Sequence, residues 1–556
     1  MDKIWLKSYP PGVPAEIDVG EFRSLKDIAE QSFEKFAHDV AYVQMGHTMS
    51  FAELAEESRK FAAWLQTEAR MKKGDRLAIM LPNLLQYPVV MLGALRAGVI
   101  VVNTNPLYTP PELEHQLQDS GAEAIVVLEN FAHVLQKVIA RTKVRIVIVT
   151  AVGDMLRFPK STIVNFVVRR VRKQVPAWHI AGSCNLGAAL AAGTHLSLAD
   201  VDVRSDDLAY LQYTGGTTGV SKAAMLTHGN VVANVLQARA WVRPAFADKP
   251  ATLLTALPLY HIFALTANCL LFLSLGWRNV LIVNPRDLPA LIADMKKYPF
   301  TFFSGVNTLF NALLHAPAFA SVDFSQLKVT LGGGMAVQAS VAERWQKVTG
   351  KVITQAWGLT ETSPAGCINR VEDPFNGSVG LPIPSTEISI KDDSGTDLAI
   401  NQIGEICLRG PQVMRGYWNR PDETEKVMLP GGWLRTGDVG RLDASGHVYI
   451  EDRKKDMILV SGFNVYPNEV EAVAAAHPGV LEAAAIAMPD EHSGEVVALF
   501  VVPKDPNLTE AALIEHCRQS LTGYKVPRHV YFKSELPKSN VGKILRRGLR
   551  EQLRTQ

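Results

Sequence analysis

The chain has 556 residues, of which 47% are hydrophobic and 20% are charged, values ordinary for a globular protein with more than one domain. Its 57 Lys and Arg residues nearly balance its 55 Asp and Glu residues, which argues against nucleic acid as a partner. The five cysteines are scattered without CxxC spacing, so disulfides and structural zinc are not expected. No apolar run suited to a signal peptide opens the sequence, and we expect a cytoplasmic protein.

Strands and helices alternate in the first part of the chain. After a helix that follows Phe22, strands are predicted at 76–81, 99–102, 124–128 and 144–149, with helices at 84–97 and 111–118. This alternation is typical of a parallel sheet with helices on its faces.

Residues 155–177 form a basic segment that contains six Lys and Arg residues and no acidic residue. Val164, Val167, Val168 and Val171 would share one face of a helix there. Such a helix could contact the anionic inner face of the cell membrane, or it could be a solvated helix packed on the protein. The sequence leaves both interpretations open.

A polar loop follows a predicted strand at 208–211. Its residues 213–222 contain three glycines and three threonines and end at Lys222. Backbone N–H groups and hydroxyls in such a loop can approach a polyphosphate, with the lysine as a point charge. The spacing does not match a Walker A loop, and a flexible surface loop is the alternative.

Residues 251–277 contain no Asp, Glu, Lys or Arg, which raises the question of a membrane span. Pro258, His261 and Asn268 interrupt the segment, so we favour a buried strand, loop and helix. Further strands at 279–283, 300–304 and 328–331 continue the α/β pattern.

The sequence pattern changes after Gly377, where short strand-like runs separated by turns indicate an antiparallel or barrel-like subdomain. A run of charges at 451–456 marks a domain boundary. We therefore predict an α/β protein: a large N-terminal domain (1–451) with parallel sheets plus the barrel-like subdomain, a hinge (452–456), and a small, mobile α+β C-terminal domain (457–556).

Four further motifs are individually weak. LGGGM (331–335) would let a flat base approach the backbone. WGLTE (357–361) places an aromatic ring, a hydroxyl and a carboxylate together, and WLRTGD (433–438) ends on a carboxylate suited to ribose hydroxyls. PKSNVGK (537–543) places a lysine after a glycine near the carboxyl terminus.

In this order along one chain, the motifs resemble those of the adenylate-forming superfamily. The segment 431–458 is similar to the signature of fatty-acyl-CoA synthetases. FSGVNTLFNALL (303–314) and the N-terminal WLKSYPPGVPAEID are similar to bacterial long-chain fatty-acid–CoA ligases. The resemblance implies a ligase that uses ATP and Mg²⁺ to join a fatty acid to coenzyme A through an acyl-adenylate, and the N-terminal domain would bind ATP and the acyl group.

The resemblance also implies roles for single residues. The β- and γ-phosphates of ATP would be held by Thr214, Gly216, Thr217, Thr218 and Lys222. Glu361 would hold Mg²⁺ and Thr360 would contact the α-phosphate. Adenine would lie between Trp357 and the backbone of Gly333 and Gly334, with Asp438 and Arg453 on the ribose.

Two residues would face the reacting carboxylate: His261, whose alternative is a core histidine, and Lys543, which would also contact the α-phosphate. Lys455 matches the hinge position of a rotating small domain, and Gly462 and Phe463 would line the pantetheine path. Several positions depart from the common pattern, among them Gly215, Ser221, Ala223 and Trp357, and Trp357 could alter the adenine fit or narrow the acyl pocket.

Three rival functions remain open at this point. The chain could be an aryl- or branched-acid CoA ligase, a fatty-acyl-AMP ligase that stops at the adenylate, or a binding module without chemistry. The combination of Lys222, Glu361, Asp438 and Lys543 argues against the last. A homodimer and peripheral membrane contact are partners that the sequence leaves open.

Overall fold

The structure, a computed structural model, describes residues 3–214, 221–246, 250–490, 492–539 and 542–554. The strands are β1 (Val40–Gln44), β2 (His47–Ser50), β3 (Arg76–Met80), β4 (Ile100–Asn103), β5 (Ala124–Leu128), β6 (Ile146–Thr150), β7 (Cys184–Asn185), β8 (Leu208–Thr214), β9 (Lys222–Thr227), β10 (Thr252–Thr255), β11 (Arg278–Leu281), β12 (Phe302–Gly305), β13 (Val329–Gly332), β14 (Ile353–Gly358), β15 (Ala365–Ile368), β16 (Leu381–Pro382), β17 (Glu387–Lys391), β18 (Gly404–Arg409), β19 (Met428–Leu429), β20 (Trp433–Leu442), β21 (Val448–Arg453), β22 (Ile458–Val460), β23 (Phe463–Val465), β24 (Val480–Asp490), β25 (Gly494–Pro503) and β26 (His529–Phe532). The α-helices are α1 (Leu25–Lys35), α2 (Phe51–Thr67), α3 (Gln86–Arg96), α4 (Pro110–Ser120), α5 (Ala132–Gln136), α6 (Lys160–Phe166), α7 (Leu186–Gly193), α8 (His228–Val242), α9 (Ile262–Ala264), α10 (Leu271–Leu275), α11 (Leu288–Lys297), α12 (Asn307–His315), α13 (Ala339–Thr349), α14 (Pro421–Val427), α15 (Pro467–Ala476), α16 (Glu510–Arg518) and α17 (Arg546–Arg554).

Two sheets with helices on their faces form the large domain. One has the strand order β7-β6-β5-β3-β4-β8-β9 and is parallel except for β9. The other has the order β16-β15-β14-β13-β12-β10-β11-β1-β2, with a parallel centre between β14 and β1. The predicted parallel α/β architecture is therefore confirmed.

Helix α3 connects β3 to β4 within the first sheet, and all of its residues are buried. The Gln86 side chain donates to the Ala151 carbonyl, which follows β6 of the same sheet, at 2.8 Å. Just before the helix, the Asn83 amide donates to the carbonyls of Thr255 and Leu257 at 3.0 Å each, at the end of β10 in the other sheet. Because a buried amide is costly without partners, the Asn83 bonds help to fix how the two sheets pack.

The uncharged stretch 251–277 folds as predicted. It forms β10, a loop, α9, a π-helical turn (Leu265–Leu270) and α10, and nearly all of it is buried. Among the helices described, none combines the length and the hydrophobicity that crossing a bilayer would require.

The basic segment 155–177 differs from the single helix that its pattern suggested. Helix α6 passes into a π-helical turn, Val167–Val171, which changes the residue spacing around the axis. As a result, the four valines do not form one packed face: Val168 is buried, whereas Val171 is 64% exposed.

The last part of the chain forms two further sheets. Strands β17, β18, β20, β19 and β21 make the expected antiparallel subdomain. Strands β23, β22, β25, β24 and β26 form the sheet of a small α+β domain with α15, α16 and α17. The predicted boundary at 451–456 lies where β21 ends and the chain enters this small domain.

Arg546 holds the start of α17 in a largely buried ionic cluster. Its guanidinium binds both carboxylate oxygens of Glu471 at 2.9 and 3.0 Å, with Asp456 at 3.3 Å and Asp452 at 3.5 Å. These carboxylates raise the pKa of Arg546, while burial raises the pKa of Glu471. The cluster ties α17 to α15 and to the segment that joins the domains.

Replacing this guanidinium should destabilise the small domain. We expect Arg546→Ala to cost about 3–5 kcal/mol, because it leaves buried carboxylates unpaired. Differential scanning calorimetry would measure the loss. Arg547→Ala is the matched control: its exposed pair with Glu551 should contribute no more than about 0.5 kcal/mol. Equal melting temperatures for the two variants would contradict this account.

Candidate active site

Most of the candidate residues lie where strands of the two parallel sheets end. Thr214 ends β8, His261 follows β10, and Gly333 and Gly334 follow β13. Trp357 lies near the end of β14, and Thr360 and Glu361 belong to the short 3₁₀-helix that comes after that strand. Ligands of open α/β sheets bind at carboxyl ends of strands, so this edge is the expected place for a site.

A buried hydrogen-bond chain joins the two sheets at this edge. The Tyr87 hydroxyl donates to the Asn103 Oδ1 at 2.7 Å, and the Asn103 amide donates to Gln212 at 2.9 Å. The Gln212 amide in turn donates to the Tyr260 carbonyl at 2.9 Å. The end of β8 and the loop that carries His261 are thereby held side by side.

The antiparallel subdomain contributes Asp438 and Arg453, which face each other on β20 and β21. The Arg453 Nε lies 2.6 Å from the Asp438 Oδ1, and the Trp357 indole N–H donates to the Asp438 Oδ2 at 2.8 Å. The Trp357 ring is buried and packs against Gly366, where a Cβ would lie 3.1 Å from the ring. Trp357 therefore orients the Asp438 carboxylate as well as presenting an aromatic face.

Lys543 of the small domain reaches this group. Burial and the nearby charge of Arg453 lower the pKa of Lys543 to about 8, although Asp438 acts in the opposite direction. Burial, with a contribution from the Lys543 charge, lowers the pKa of His261 to about 4. The His261 Nδ1 accepts a bond from the Phe263 N–H at 3.3 Å, which places the proton of the neutral ring on Nε2.

A second group surrounds Glu361. The Tyr417 hydroxyl donates to the Glu361 Oε1 at 2.6 Å, and the Lys222 ammonium lies 4.6 Å from the centre of the Tyr417 ring. Lys222 also pairs with Glu423 at 2.6 Å. Bonds from Lys222 and Lys426 lower the pKa of Glu423 to about 2, so its carboxylate stays charged beside Lys222.

A cavity of about 320 Å³ opens beside Glu361 and Tyr417. Arg435, Thr436 and Lys454 are among its other lining residues. Its basic groups are paired with carboxylates: Arg435 with Glu405 at 2.9 Å, for example. The cavity volume lies within the range of small-molecule sites, and its lining is mixed, with Leu359, Val427 and Leu434 beside the charged groups.

The glycines after β13 lie close to their neighbours. A Cβ on Gly333 would be 3.0 Å from the Phe263 ring and 3.1 Å from the Ala356 carbonyl. Gly334 has a φ of +76°, a conformation that side chains rarely adopt. Packing at Gly333 and backbone conformation at Gly334 therefore favour glycine, and the approach of a base to LGGGM stays a prediction.

The remaining candidates lie beside this cluster, as Lys455 does, away from it, or outside the described chain. Gly216, Thr217 and Thr218 lie outside the described residues. Lys455 is exposed just after Arg453. Gly462 and Phe463 lie at the turn between β22 and β23, where Phe463 is 58% exposed and stacks on Tyr524 of the same domain.

Sequence reasoning missed Tyr417 and Glu423. They belong to the loop and helix between β18 and β19, about 200 positions from Lys222, and their contacts with it arise only in the fold. The polar and aromatic run RGYWNRPDETE, which contains both, is the one local signal.

Mg²⁺ fits the Glu361 position, although the site is not a metal site formed by the protein alone. Within the described parts of the chain, no group of three or more His, Cys, Asp or Glu side chains could hold a metal. Mg²⁺ commonly uses one or two carboxylates together with phosphate oxygens and water, so a single carboxylate at Glu361 is compatible with an ion that a bound polyphosphate helps to hold.

Comparisons with known proteins agree with this geometry. Residues 29–418 match the family described as AMP-binding enzyme, and residues 469–543 match the AMP-binding enzyme C-terminal domain. The chain is 55% identical to a long-chain-fatty-acid–CoA ligase of Escherichia coli O157:H7 over 100% of this chain and 99% of that protein. A long-chain-fatty-acid–CoA ligase of Salmonella typhimurium is 54% identical, with the same coverage.

The fold agrees as well. The crystal structure of the anthranilate CoA ligase AuaEII in complex with anthranoyl-AMP superimposes with a TM-score of 0.86 at 24% identity, covering 97% of this chain and 99% of that one. With the family matched across both domains, the chain belongs to the AMP-binding enzyme family of adenylate-forming ligases.

Proposed function

We propose that the protein ligates medium- to long-chain fatty acids to coenzyme A with ATP, through an acyl-adenylate and with release of AMP and pyrophosphate. The observation that carries this proposal is the full-length identity of 54–55% to curated long-chain-fatty-acid–CoA ligases. The convergence of Lys543, Asp438 and His261 supports it, because it supplies positive charge and a hydrogen-bond donor at one point.

The phosphates of ATP bind between the loop after Thr214 and the Glu361 cavity. Thr214, Gly216, Thr217, Thr218 and Lys222 hold the β- and γ-phosphates, so Lys222 exchanges Glu423 for phosphate oxygens. Glu361 would hold Mg²⁺, which would neutralise phosphate charge. Thr360 contacts the α-phosphate. Tyr417 keeps the Glu361 carboxylate oriented toward the cavity.

The nucleoside binds beside the antiparallel subdomain. Adenine stacks on Trp357 and meets the backbone of Gly333 and Gly334. The ribose hydroxyls bind Asp438 and Arg453, whose geometry is already set by the bond from the Trp357 indole. Preorganisation of this kind lowers the entropic cost of binding.

The reaction joins two anions, and Lys543 and His261 reduce their repulsion. The carboxylate oxygen attacks the α-phosphorus, the bond to the β-phosphate oxygen breaks, and pyrophosphate leaves. The Lys543 ammonium bridges the carboxylate and the α-phosphate, while the His261 Nε2–H donates to the carboxylate. Positioning and charge stabilisation supply most of the catalysis in such transfers.

Thioester formation follows a rotation of the small domain about residues 452–456, with Lys455 at the pivot. The CoA thiol then loses its proton, its sulfur attacks the acyl carbonyl, the bond from that carbon to the phosphate oxygen breaks, and AMP leaves. Gly462 and Phe463 line the path of the pantetheine arm. Gly462 suits this role because a Cβ there would meet no atom within 4 Å, which leaves the space open.

The basic segment supports contact with a membrane. Phe158, Ile163, Phe166 and Val171 are 84%, 56%, 59% and 64% exposed, an unusual density of bare apolar side chains. Arg170, Arg172 and Lys173 are exposed beside them. We therefore place the protein in the cytoplasm, peripherally on the anionic inner face of the membrane.

The proposal extends to a homodimer, which light scattering of the purified protein would test.

The acid preference is tested with a substrate panel. We expect CoA-dependent AMP release to be at least about tenfold faster with dodecanoate or palmitate than with benzoate or anthranilate, since each buried methylene contributes about 0.8 kcal/mol. Faster turnover of aryl acids would establish the aryl-CoA ligase instead. Accumulation of acyl-AMP with CoA present would identify a fatty-acyl-AMP ligase.

The charge of Lys543 should limit the adenylation step at high pH. A lysine with a pKa of about 8 is charged below that pH, so kcat/KM for ATP–pyrophosphate exchange should fall about tenfold per pH unit above it. The carboxyl and phosphate groups of the substrates titrate well below this range.

Two variants of Lys543 distinguish the titration of this lysine from the titration of other groups. Lys543→Arg should keep its charge and remove the alkaline decline, whatever its absolute rate. Lys543→Ala should lower adenylation by at least about a hundredfold while the circular dichroism spectrum is unchanged. An alkaline decline that persists in Lys543→Arg would assign the titration to another group.

Membrane contact is tested by flotation with phosphatidylglycerol vesicles. Phe158→Ser, Ile163→Ser and Phe166→Ser together should reduce vesicle binding at least about tenfold, because the insertion of apolar side chains is lost. The matched control replaces Val348, Ile400 and Ile403, which are 40%, 37% and 47% exposed elsewhere, with serine. Equal flotation of the two triple variants would remove this segment from the membrane proposal.

A further inference from the structure

The segment that carries Lys543 is shaped by contacts inside the small domain. The Lys543 N–H donates to the Ser539 Oγ at 3.1 Å, and the Ser539 N–H donates to the Lys543 carbonyl at 2.7 Å. Arg546 then anchors the segment to Glu471. Because all these groups belong to one domain, they move together and cannot by themselves select an orientation of that domain.

Contacts of another kind cross the domain boundary from α12. The Thr308 hydroxyl donates to the Gly542 carbonyl at 3.0 Å, one residue before Lys543. The Asn311 amide donates to the Leu481 carbonyl at 3.1 Å. Residues three apart lie on one face of a helix, so Thr308 and Asn311 form a single polar face that meets the small domain.

The approach at Gly542 is close. A Cβ on Gly542 would lie 2.6 Å from the Thr308 Oγ1 and 3.3 Å from the Val306 side chain, and the residue has a φ of +81°. The main chain before Lys543 therefore rests directly on the first turn of α12. This contact can exist only while the small domain presents Lys543 to the site.

Other contacts between the domains lie near the expected pivot. The Asn468 N–H donates to the Asp452 carboxylate at 2.8 Å, and the Asn468 side chain donates to the Glu451 carbonyl at 3.2 Å. Groups beside a pivot are displaced little by rotation, whereas groups far along the chain from it separate. The α12 hydrogen bonds are thus contacts that would distinguish the two orientations.

We propose that Thr308 is a positioning residue for adenylation: its bond to the Gly542 carbonyl docks the small domain in the orientation that inserts Lys543. Asn311 supports the same docking. The inference rests on the proposed two-step ligase with a rotating small domain. Because the bond is broken during thioester formation, Thr308 affects the first half-reaction and not the second.

The test measures the two half-reactions separately. Thr308→Val removes the hydroxyl and keeps the shape, and we expect adenylate formation from dodecanoate in a single turnover to slow about 3–10-fold. Transfer from supplied dodecanoyl-AMP to CoA should keep its rate or increase. Thr308→Ser should restore adenylation, because it restores the donor. The ratio of rates with decanoate and palmitate should not change, as it would if Thr308 acted on the acyl chain.

The matched control is Thr349→Val. The Thr349 hydroxyl bonds to the Trp345 carbonyl at 2.8 Å and the Lys351 carbonyl at 3.3 Å, entirely within the large domain. We expect it to leave the ratio of the two half-reactions unchanged. An equal loss in both half-reactions of Thr308→Val, or a loss in neither, overturns the proposal.

A readout without catalysis distinguishes failure of this inference from failure of the proposed function. The hinge contains Arg453, Lys454 and Lys455, so trypsin should cleave Thr308→Val there faster than Thr349→Val when docking is weakened. If the natural chain formed no adenylate from any acid, the proposed function would fail, and this comparison would still be informative. Equal cleavage of the two variants would count against docking by Thr308.

Discussion

A positive charge held where three parts of the chain meet is the feature on which the rest of the site depends. Lys543 comes from the small domain, Asp438 and Arg453 from the antiparallel subdomain, and His261 from the loop after β10. Burial and the neighbouring Arg453 make the charged form of Lys543 less stable than in water, which lowers its pKa to about 8. A bound anion would stabilise the charged form of Lys543 again, so the site favours the binding of negatively charged reactants.

The fold supplies the positions for this arrangement. Parallel strands end at one edge, and buried amides such as Asn83, Asn103 and Gln212 hold the two sheets in a defined relation. Unpaired buried amides would be costly, so these bonds favour the packing of the sheets that satisfies them. The strand ends then form the edge that the smaller domain faces with Lys543.

Much of this could be predicted from the sequence, because the signals are local. The strands at 76–81 and 124–128 are short apolar runs between turns, and they are found as β3 and β5. A hydrogen bond from Trp357 of the WGLTE motif to Asp438 of the WLRTGD motif brings these two motifs together, while their roles toward adenine and ribose stay predictions. The resemblance to adenylate-forming ligases made these predictions sharper than residue chemistry alone would have allowed.

What could not be predicted depends on contacts between distant residues or on helix geometry. Tyr417 and Glu423, which lie between β18 and β19 of the antiparallel subdomain, contact Lys222. Thr308 contacts Gly542 across a domain boundary. No short pattern encodes such pairs. The prediction of a valine face in the basic segment was wrong for a different reason. A π-helical turn shifts the residue spacing, so a pattern counted at 3.6 residues per turn fails after Phe166.

The cations of the site fall into two classes, and the difference has a physical consequence. Lys222, Arg435 and Arg453 each have a carboxylate partner within 3 Å. The carboxylates of these pairs compete with phosphate for the cations, which limits non-productive binding of anions. When ATP binds, breaking the pairs offsets part of the Coulomb attraction between the cations and the phosphates. Lys543 forms no ion pair within 4 Å among the residues described, although Asp438 acts on its pKa. In the proposed mechanism a reacting anion would meet the Lys543 charge without first displacing an ion-paired carboxylate, whereas Lys222, Arg435 and Arg453 would each exchange one for phosphate.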